Sequence, residues 1–287
     1  MRRYGIARFA RRGPRLAVLA GPLLVLTGCS SESVAHWRRG GLPEGITNQS
    51  DRITTLWVGS WIAAMLVGIM MWGLILWAAL VFRRRSGETG LPAQVRYNVP
   101  IEVLYTSVPL IIVLVFFYFT ARDQSRILEV SDTADVKVDV VGKRWSWDFN
   151  YLDASREPVA YEVGTPGRPP TLYLPVNEPV EFTLSARDVI HSFWVPAFLF
   201  KIDTIPGRVN TFEITPTKEG EFFGKCAELC GVDHSRMLFN VRVVSRADYD
   251  AHLADLEERG QVGELPANLG PSTEREDTPP SEQEGQQ

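Results

Sequence analysis

The sequence predicts a membrane-anchored, all-β protein, in which a hairpin of two transmembrane helices precedes an external β-sandwich. Two long runs with almost no charged residue lie in the first half of the chain. Most of the second half alternates apolar and polar side chains between frequent prolines and glycines. About 20 apolar residues are enough to cross a bilayer, and alternation with a period of two is typical of strands with one buried face.

The N-terminus has the features of an export signal. Several arginines precede an apolar run from Leu16 to Leu26, which is too short to cross a hydrocarbon core of roughly 30 Å. Small residues come before Cys29, as in a bacterial lipobox. We therefore expect residues 1–28 to be removed and Cys29 to carry lipid at the start of an extracytoplasmic segment, residues 29–54. An uncleaved anchor with an incidental cysteine is the alternative.

The transmembrane hairpin is predicted for residues 55–121. Its first apolar run, Leu56 to Phe82, is followed at once by arginines 83–85, and such clusters favour the cytoplasmic side of a membrane. The second run, Ile101 to Thr120, then returns the chain outward. Two buried helices of a soluble protein are the alternative, but such long uncharged runs argue against it. Both termini and the β domain are therefore expected outside the cytoplasm, in a bacterial plasma membrane protein.

Short strands are predicted throughout residues 122–246, because alternation begins with the valines between Val136 and Val140. The strand candidates are Val136–Val140, Trp145–Tyr151, Thr171–Leu174, Pro179–Ser185, Val209–Ile214, Gly220–Lys225 and Met237–Val244. Many short strands between turns indicate a sandwich or a barrel. An amphipathic helix is expected at residues 247–259. Residues 260–287 are rich in Pro, Gly, Ser, Glu and Gln and are predicted to be a disordered tail.

The segment from Cys226 to Met237 contains the pattern Cys-x3-Cys-x3-His-x2-Met, and His191 lies upstream of it. Two thiolates, two imidazoles and a thioether suit copper, whereas zinc has no use for the thioether. A mononuclear copper site needs one thiolate, so a second cysteine is explained if both thiolates bridge two ions. Each ion would then have one histidine, with Met237 and a backbone carbonyl as weak ligands. A disulfide between Cys226 and Cys230 is the alternative.

Five motifs in this order resemble subunit II of haem-copper cytochrome c oxidases. They are Ile101–Pro109, Gly142–Trp147, His191–Pro196, Lys201–Arg208 and the cysteine motif itself. The resemblance implies a cupredoxin-like sandwich and a binuclear copper (CuA) centre held by His191, Cys226, Glu228 through its carbonyl, Cys230, His234 and Met237. It also implies electron transfer from a cytochrome c, or a cytochrome c domain of a neighbouring respiratory complex, to subunit I, which reduces oxygen to water with proton translocation.

The same resemblance implies roles for three further residues. Trp145 would receive electrons from the donor, and the carboxylate of Glu228 would bind a magnesium or manganese ion shared with subunit I. Glu102 would lie at the entrance of a proton pathway into subunit I. The residues alone leave simpler alternatives open: Trp145 as a core side chain, Glu228 as a surface acid, and Glu102 as a carboxylate at the membrane interface.

The chain departs from the family pattern in places. Many relatives have an aromatic residue at Ser146, an acidic one at Asn150 and a tryptophan at Tyr105. Asp188 and Asp203 still match acidic positions of the family, although the changes elsewhere weaken the expectation of an acidic docking surface.

Several function classes are disfavoured by the sequence. The net charge of −4 and the lack of a basic stripe in the exported part give no reason to expect nucleic-acid binding. A fused cytochrome domain would need a Cys-x-x-Cys-His motif, which the sequence lacks. A membrane-tethered copper carrier would need neither Trp145 nor Glu102, and quinol oxidase subunits typically lack the copper ligands. The expected partners are subunit I, other oxidase subunits, a cytochrome c and membrane lipid.

Overall fold

The computed structural model describes residues 30–84, 87, 90–91, 94–131, 133–263 and 265. The chain forms two units, Met1–Leu42 and Pro43–Gln287. In the first unit the described residues contain one helix, α1 (Ser31–Arg38), whose first turn is capped by the Ser30 hydroxyl accepting from the backbone N–H of Ser33. The sequence analysis missed α1, because eight mostly polar residues show no clear apolar period. The proposed signal and Cys29 lie outside the described residues.

The predicted hairpin of apolar helices is confirmed as α2 (Ser50–Val81) and α3 (Val99–Ile127). Both are long and apolar enough to cross a membrane, and their apolar side chains are exposed, as they would be toward lipid. The helices extend beyond the apolar runs, because polar turns at the end nearer the β domain continue them. There the buried carboxylate of Asp123 on α3 lies 3.3 Å from the Arg52 guanidinium on α2, which joins the two helices.

Residues before α2 pack into the β domain. The backbone N–H of Ile46 donates to the Ala197 carbonyl at 3.0 Å, and the Thr217 N–H donates to the Ile46 carbonyl at 2.7 Å. The Ile46 side chain is buried in the core. Gly45 permits this close approach, because a Cβ there would lie 2.3 Å from the Ser50 Cβ. The start of α2 is thus fixed against the sandwich.

The predicted β-sandwich is confirmed as two five-stranded sheets. One has the order β3-β2-β1-β5-β8 and the other β4-β10-β9-β6-β7. The strands are β1 (Val136–Lys143), β2 (Ser146–Leu152), β3 (Pro158–Val163), β4 (Thr171–Pro175), β5 (Val180–Ala186), β6 (His191–Val195), β7 (Phe200–Thr204), β8 (Asn210–Ile214), β9 (Gly220–Cys226) and β10 (Leu238–Val244). Pairs β1–β5 and β4–β10 are parallel, and the other pairs are antiparallel.

Aromatic rings fill the space between the sheets. Phe182 stacks on Phe212 at 4.7 Å and Phe193 on Phe239 at 4.9 Å, measured between ring centroids. Gly224 makes room for the latter pair, since a Cβ there would lie 1.9 Å from the Phe239 ring. This core supports β6 and β9, which carry His191 and Cys226, and β10, which begins directly after Met237.

The sequence analysis did not predict three of the strands, β3, β6 and β7. They are short, and β6 begins with His191 and Ser192, polar residues that are buried for a reason other than apolar packing. Helix α4 (Arg246–Glu258) covers the edge between β3 and β4. The predicted start of disorder at residue 260 is wrong. The Tyr161 N–H donates to the Gln261 carbonyl, and Val262 pairs with Ala160, so backbone hydrogen bonds hold these residues against β3. Residues 266–287 lie outside the described part.

A partly buried histidine on α4, His252, makes the sandwich sensitive to acid. The His252 ring stacks on Tyr173 with centroids 3.7 Å apart, and its buried Nε2 lacks a hydrogen-bond partner among the described residues. Burial lowers the pKa of His252 to about 4, and the nearby Arg259 acts in the same direction. Because the unfolded chain binds this proton near pH 6.5, the free energy of unfolding should fall as the pH drops from about 6.5 toward 4.

His252→Phe is expected to remove this contribution to acid sensitivity, because phenylalanine keeps the stacking and cannot be protonated. Urea unfolding of the sandwich, residues 129–265, should show wild type losing on the order of 1–2 kcal/mol more than the variant between pH 6.5 and 4.5. Equal losses in both proteins would contradict a neutral His252 in the folded protein.

Candidate metal centre

The candidate ligands meet at the ends of three adjacent strands. Cys226 is the last residue of β9, and its N–H donates to the Met237 carbonyl just before β10, closing the loop between them. The Ala227 N–H donates to the Ser192 carbonyl on β6. These bonds bring His191, which is 35 residues from Cys226 in sequence, to the base of the loop. Sheet pairing therefore unites the upstream histidine with the cysteine motif.

The two cysteines are free thiols, with their sulfurs 3.8 Å apart. A disulfide needs about 2.05 Å, so the disulfide alternative does not describe this structure. Cys226 Sγ lies 3.9 Å from His191 Nδ1 and 3.2 Å from the Glu228 carbonyl. Cys230 Sγ lies 3.6 Å from His234 Nδ1 and 3.8 Å from Met237 Sδ. The ligand set thus divides into two halves, each with one thiol, one imidazole and one weak donor.

These separations fit metal binding. Bonds of about 2.0–2.3 Å to nitrogen and sulfur at a tetrahedral ion separate two ligands by about 3.3–3.8 Å. His191, Cys226 and Cys230 are all buried, and their ligand atoms lie within 4.8 Å of one another. The soft sulfur and imidazole donors match copper, whereas hard ions prefer oxygen. The residues present therefore fit a pair of copper ions.

The pKa values of the two thiols are shifted in opposite directions. The hydrogen bond with Cys230 is the largest cause that lowers the pKa of Cys226, and the His191 contact acts in the same direction. The same pairing raises the pKa of Cys230, because a second negative charge would sit beside the first. The pair therefore favours one thiolate beside one thiol, and binding of a cation would release the remaining proton.

Asp188 orients His191. Its Oδ1 lies 2.8 Å from His191 Nε2, so the proton-bearing Nε2 faces the carboxylate and Nδ1 faces Cys226. Burial alone would raise the pKa of Asp188, but the hydrogen bonds from His191 and from two backbone N–H groups outweigh it and lower the pKa. The sequence analysis treated Asp188 only as an acidic family position. Its spacing of three residues from His191 is the signal that could have indicated this contact.

Trp145 lies against the cysteine loop. Its Nε1 donates to the Cys230 carbonyl at 3.2 Å, and its ring packs on Gly231, where a Cβ would approach the ring to 3.0 Å. Gly231 has a φ of +128°, which disfavours any other residue. Trp145 is only partly buried, whereas Trp147 is completely buried and donates from Nε1 to the Met237 carbonyl at 3.5 Å. The two tryptophans therefore occupy different environments.

The turn that carries Trp145 is held by two carboxylates. The Arg144 N–H donates to Asp188 Oδ2 at 2.7 Å. Lys143 Nζ lies 2.8 Å from Asp148 Oδ1, and both side chains are almost completely buried. Removing one partner of such a buried pair leaves an uncompensated charge. The sequence analysis missed the Lys143–Asp148 pair, because both residues look like members of a solvated strand face.

Three further residues singled out in the sequence are Glu228, Glu102 and Asp203. The Glu228 side chain is exposed on the loop while its carbonyl approaches Cys226. Glu102 Oε1 accepts from the Asn98 N–H at 2.8 Å, so it caps the first turn of α3. Asp203 Oδ1 lies 3.5 Å from Lys201 Nζ, so the two side chains form an ion pair.

Comparison with known proteins gives consistent matches. Residues 169–244 match the family model of cytochrome c oxidase subunit II, periplasmic domain. A Streptomyces avermitilis protein described as "Probable cytochrome c oxidase subunit 2" is 48% identical over 90% of this chain and 91% of its own length. "Cytochrome c oxidase subunit 2" of Mycobacterium bovis is 35% identical over 87% of this chain and 83% of its own length. The crystal structure of the periplasmic domain of subunit II of cytochrome oxidase from Bradyrhizobium japonicum is 32% identical, covers 44% of this chain and 96% of that one, and has a TM-score of 0.39.

Proposed function

Because this chain belongs to the cytochrome c oxidase subunit II family, we propose that it accepts electrons from a cytochrome c at a binuclear copper centre. It passes them to the haem-copper subunit I, which reduces oxygen to water with proton translocation. The observation that carries the proposal is the pair of free thiols 3.8 Å apart, with imidazoles 3.9 Å and 3.6 Å from their respective sulfurs.

His191, Cys226, Cys230, His234 and Met237 hold the two copper ions together with the carbonyl of Glu228. Copper supplies the one-electron redox chemistry when it is bound. The chain contributes a fixed ligand geometry, supported by the Asp188–His191 hydrogen bond and by burial of both cysteines. Because His191, Cys226, Cys230 and Met237 are buried and fixed by the surrounding strands and loop, little has to rearrange when the charge changes.

Trp145 receives electrons from the donor. Its partial exposure and its hydrogen bond to the Cys230 carbonyl support this role, since the ring can contact a partner on one side and the cysteine loop on the other. Trp147, with no exposed surface, is the structural member of the pair.

Glu228 binds a magnesium or manganese ion at the boundary with subunit I. Support comes from its exposed carboxylate, which is a hard oxygen donor, on the residue whose carbonyl approaches Cys226 Sγ. Glu102 stands at the entrance of a proton pathway into subunit I. Its capping bond to Asn98 is compatible with this role, because a carboxylate that accepts one N–H still has a free oxygen.

The chain is anchored in the plasma membrane of a bacterium, with the sandwich and both termini outside the cytoplasm. The packing of Ile46 against the sandwich supports this arrangement, because the chain before α2 and the chain after α3 then emerge on the same side. The arginines after α2 favour the cytoplasm for the loop. Membrane lipid, subunit I and further oxidase subunits are the partners of the hairpin.

Cys29 is expected to be the first residue of the mature protein and to carry lipid. Mass spectrometry of the native N-terminus should find a diacylated or triacylated cysteine. Peptides from residues 1–28 in the mature protein would contradict this. Cys29→Ala should remain in the membrane, because two spanning helices anchor the chain far more strongly than acyl chains do.

Spectroscopy of the assembled oxidase tests the proposed function. One unpaired electron shared by two copper ions should be visible by paramagnetic resonance, and the signal should disappear when a reduced cytochrome c is added. A copper carrier would keep its signal under these conditions. A quinol oxidase subunit would contain no such copper.

A further inference from the structure

The surface around Trp145 carries exposed positive charge, although the chain as a whole has a net charge of −4. We call this surface the input face and define it by Trp145, Leu229, Val232 and the arginines Arg144, Arg168 and Arg236. Arg144 adjoins Trp145, and Arg236 lies between the candidate ligands His234 and Met237. A Cβ at Gly167 would lie 3.9 Å from Arg236 Nη2, so the backbone of the Thr165–Arg168 turn, which carries the exposed Arg168, approaches the Arg236 guanidinium.

In two ion pairs at this face, the arginine side chain is more exposed to solvent than its carboxylate partner. The Arg144 side chain is 50% exposed and its partner Asp188 only 11%. The Arg236 side chain is 61% exposed and its partner Asp233 only 13%. Asp188 also lies beneath the surface because it holds His191 and the Arg144 backbone. An approaching partner therefore meets guanidinium groups, while the balancing carboxylates are covered.

Apolar side chains complete the face. Leu229 and Val232 are each 79% exposed on the cysteine loop, on either side of Gly231 and its contact with Trp145. Glu228 is the exposed acid of the same loop, and the proposed function assigns it to the subunit I side. An apolar centre with a charged rim is the usual composition of a docking surface.

We propose that the electron donor docks on the input face through carboxylates around its haem edge, so that an acid-rimmed cytochrome is preferred to a lysine-rimmed one. This inference rests on the proposed function and identifies the chemistry of its partner. Complementary charge steers encounter and raises association rates by about 10-fold to 10³-fold, and like charge opposes it. The effect extends over a Debye length of about 30 Å at 0.01 M salt and about 8 Å at 0.15 M.

A matched pair of donors tests the preference. A lysine-rimmed mitochondrial cytochrome c is compared with the same protein after succinylation, which replaces ammonium groups by carboxylates. Binding to the assembled oxidase and stopped-flow oxidation of each reduced cytochrome are measured at about 0.01 M and 0.15 M salt. The succinylated protein should bind more tightly and react about 10-fold faster at low salt, and its advantage should shrink at high salt.

Charge variants locate the effect. Arg168→Gln with Arg236→Gln should weaken binding of the succinylated donor several-fold, whereas Arg242→Gln with Arg246→Gln, on β10 and α4 away from the input face, should leave it unchanged. Tighter binding of the unmodified cytochrome, or no preference at low salt, would overturn the proposal. If neither cytochrome is oxidised at any salt concentration while both bind, the proposed function fails, and the proposal falls with it.

Discussion

Cys226→Ser and Cys230→Ser are each expected to abolish the copper centre. The sulfur atoms stand 3.8 Å apart between the two imidazoles, so each thiolate is placed to contact both ions. A serine hydroxyl is a harder donor and far too weakly acidic to bridge two copper ions. The unmodified chain should bind two copper ions with one shared unpaired electron, and each variant should lose that signal.

The measurements are copper content per chain and the paramagnetic spectrum of the full-length subunit after copper loading. Ser235→Ala is the matched control, because Ser235 is exposed in the same loop and should leave both properties unchanged. Met237→Leu should have a smaller effect, since a weak thioether ligand is lost while both thiolates remain. A single copper ion with a localised spectrum in the unmodified chain would defeat the binuclear interpretation.

The sequence was most informative where one side-chain type determines local structure. The apolar runs of α2 and α3 and the alternation in β1 and β10 follow directly from burial against lipid or a core. Strand β6 was missed, because its first residue, His191, is buried by the cysteine loop and Asp188 and not by an apolar face. A periodic pattern of apolar residues does not reveal a polar residue, such as His191, that is buried as a candidate ligand.

Likewise the candidate ligands were predictable from residue type and spacing, whereas their supports were not. Asp188 could be matched to a family position, but its bonds to both His191 and Arg144 depend on the approach of β6 to the β1–β2 turn. The stacking of Trp145 on Gly231 depends on the same long-range pairing. Contacts between elements distant in sequence carry no local signal, and for this reason the input face became visible only in the folded chain.

Trp145→Phe should slow reduction of the copper centre by its cytochrome c donor by orders of magnitude, while copper binding and assembly persist. Phenylalanine keeps most of the ring volume and apolarity on Gly231, so the loop should stay folded. It cannot donate to the Cys230 carbonyl and presents a smaller ring to the donor. Turnover with a small artificial reductant should change little, because such a molecule does not need the docking surface.

Trp147→Phe is the matched control for this experiment. Trp147 is completely buried and donates to the Met237 carbonyl, so its replacement should lower the free energy of unfolding by about 1–3 kcal/mol. It should not reduce the rate with the native donor selectively over the rate with the small reductant. Stopped-flow reduction decides between the two roles. An unchanged donor rate in Trp145→Phe, or an equal loss in both variants, would show that Trp145 is only a packing residue beside the cysteine loop.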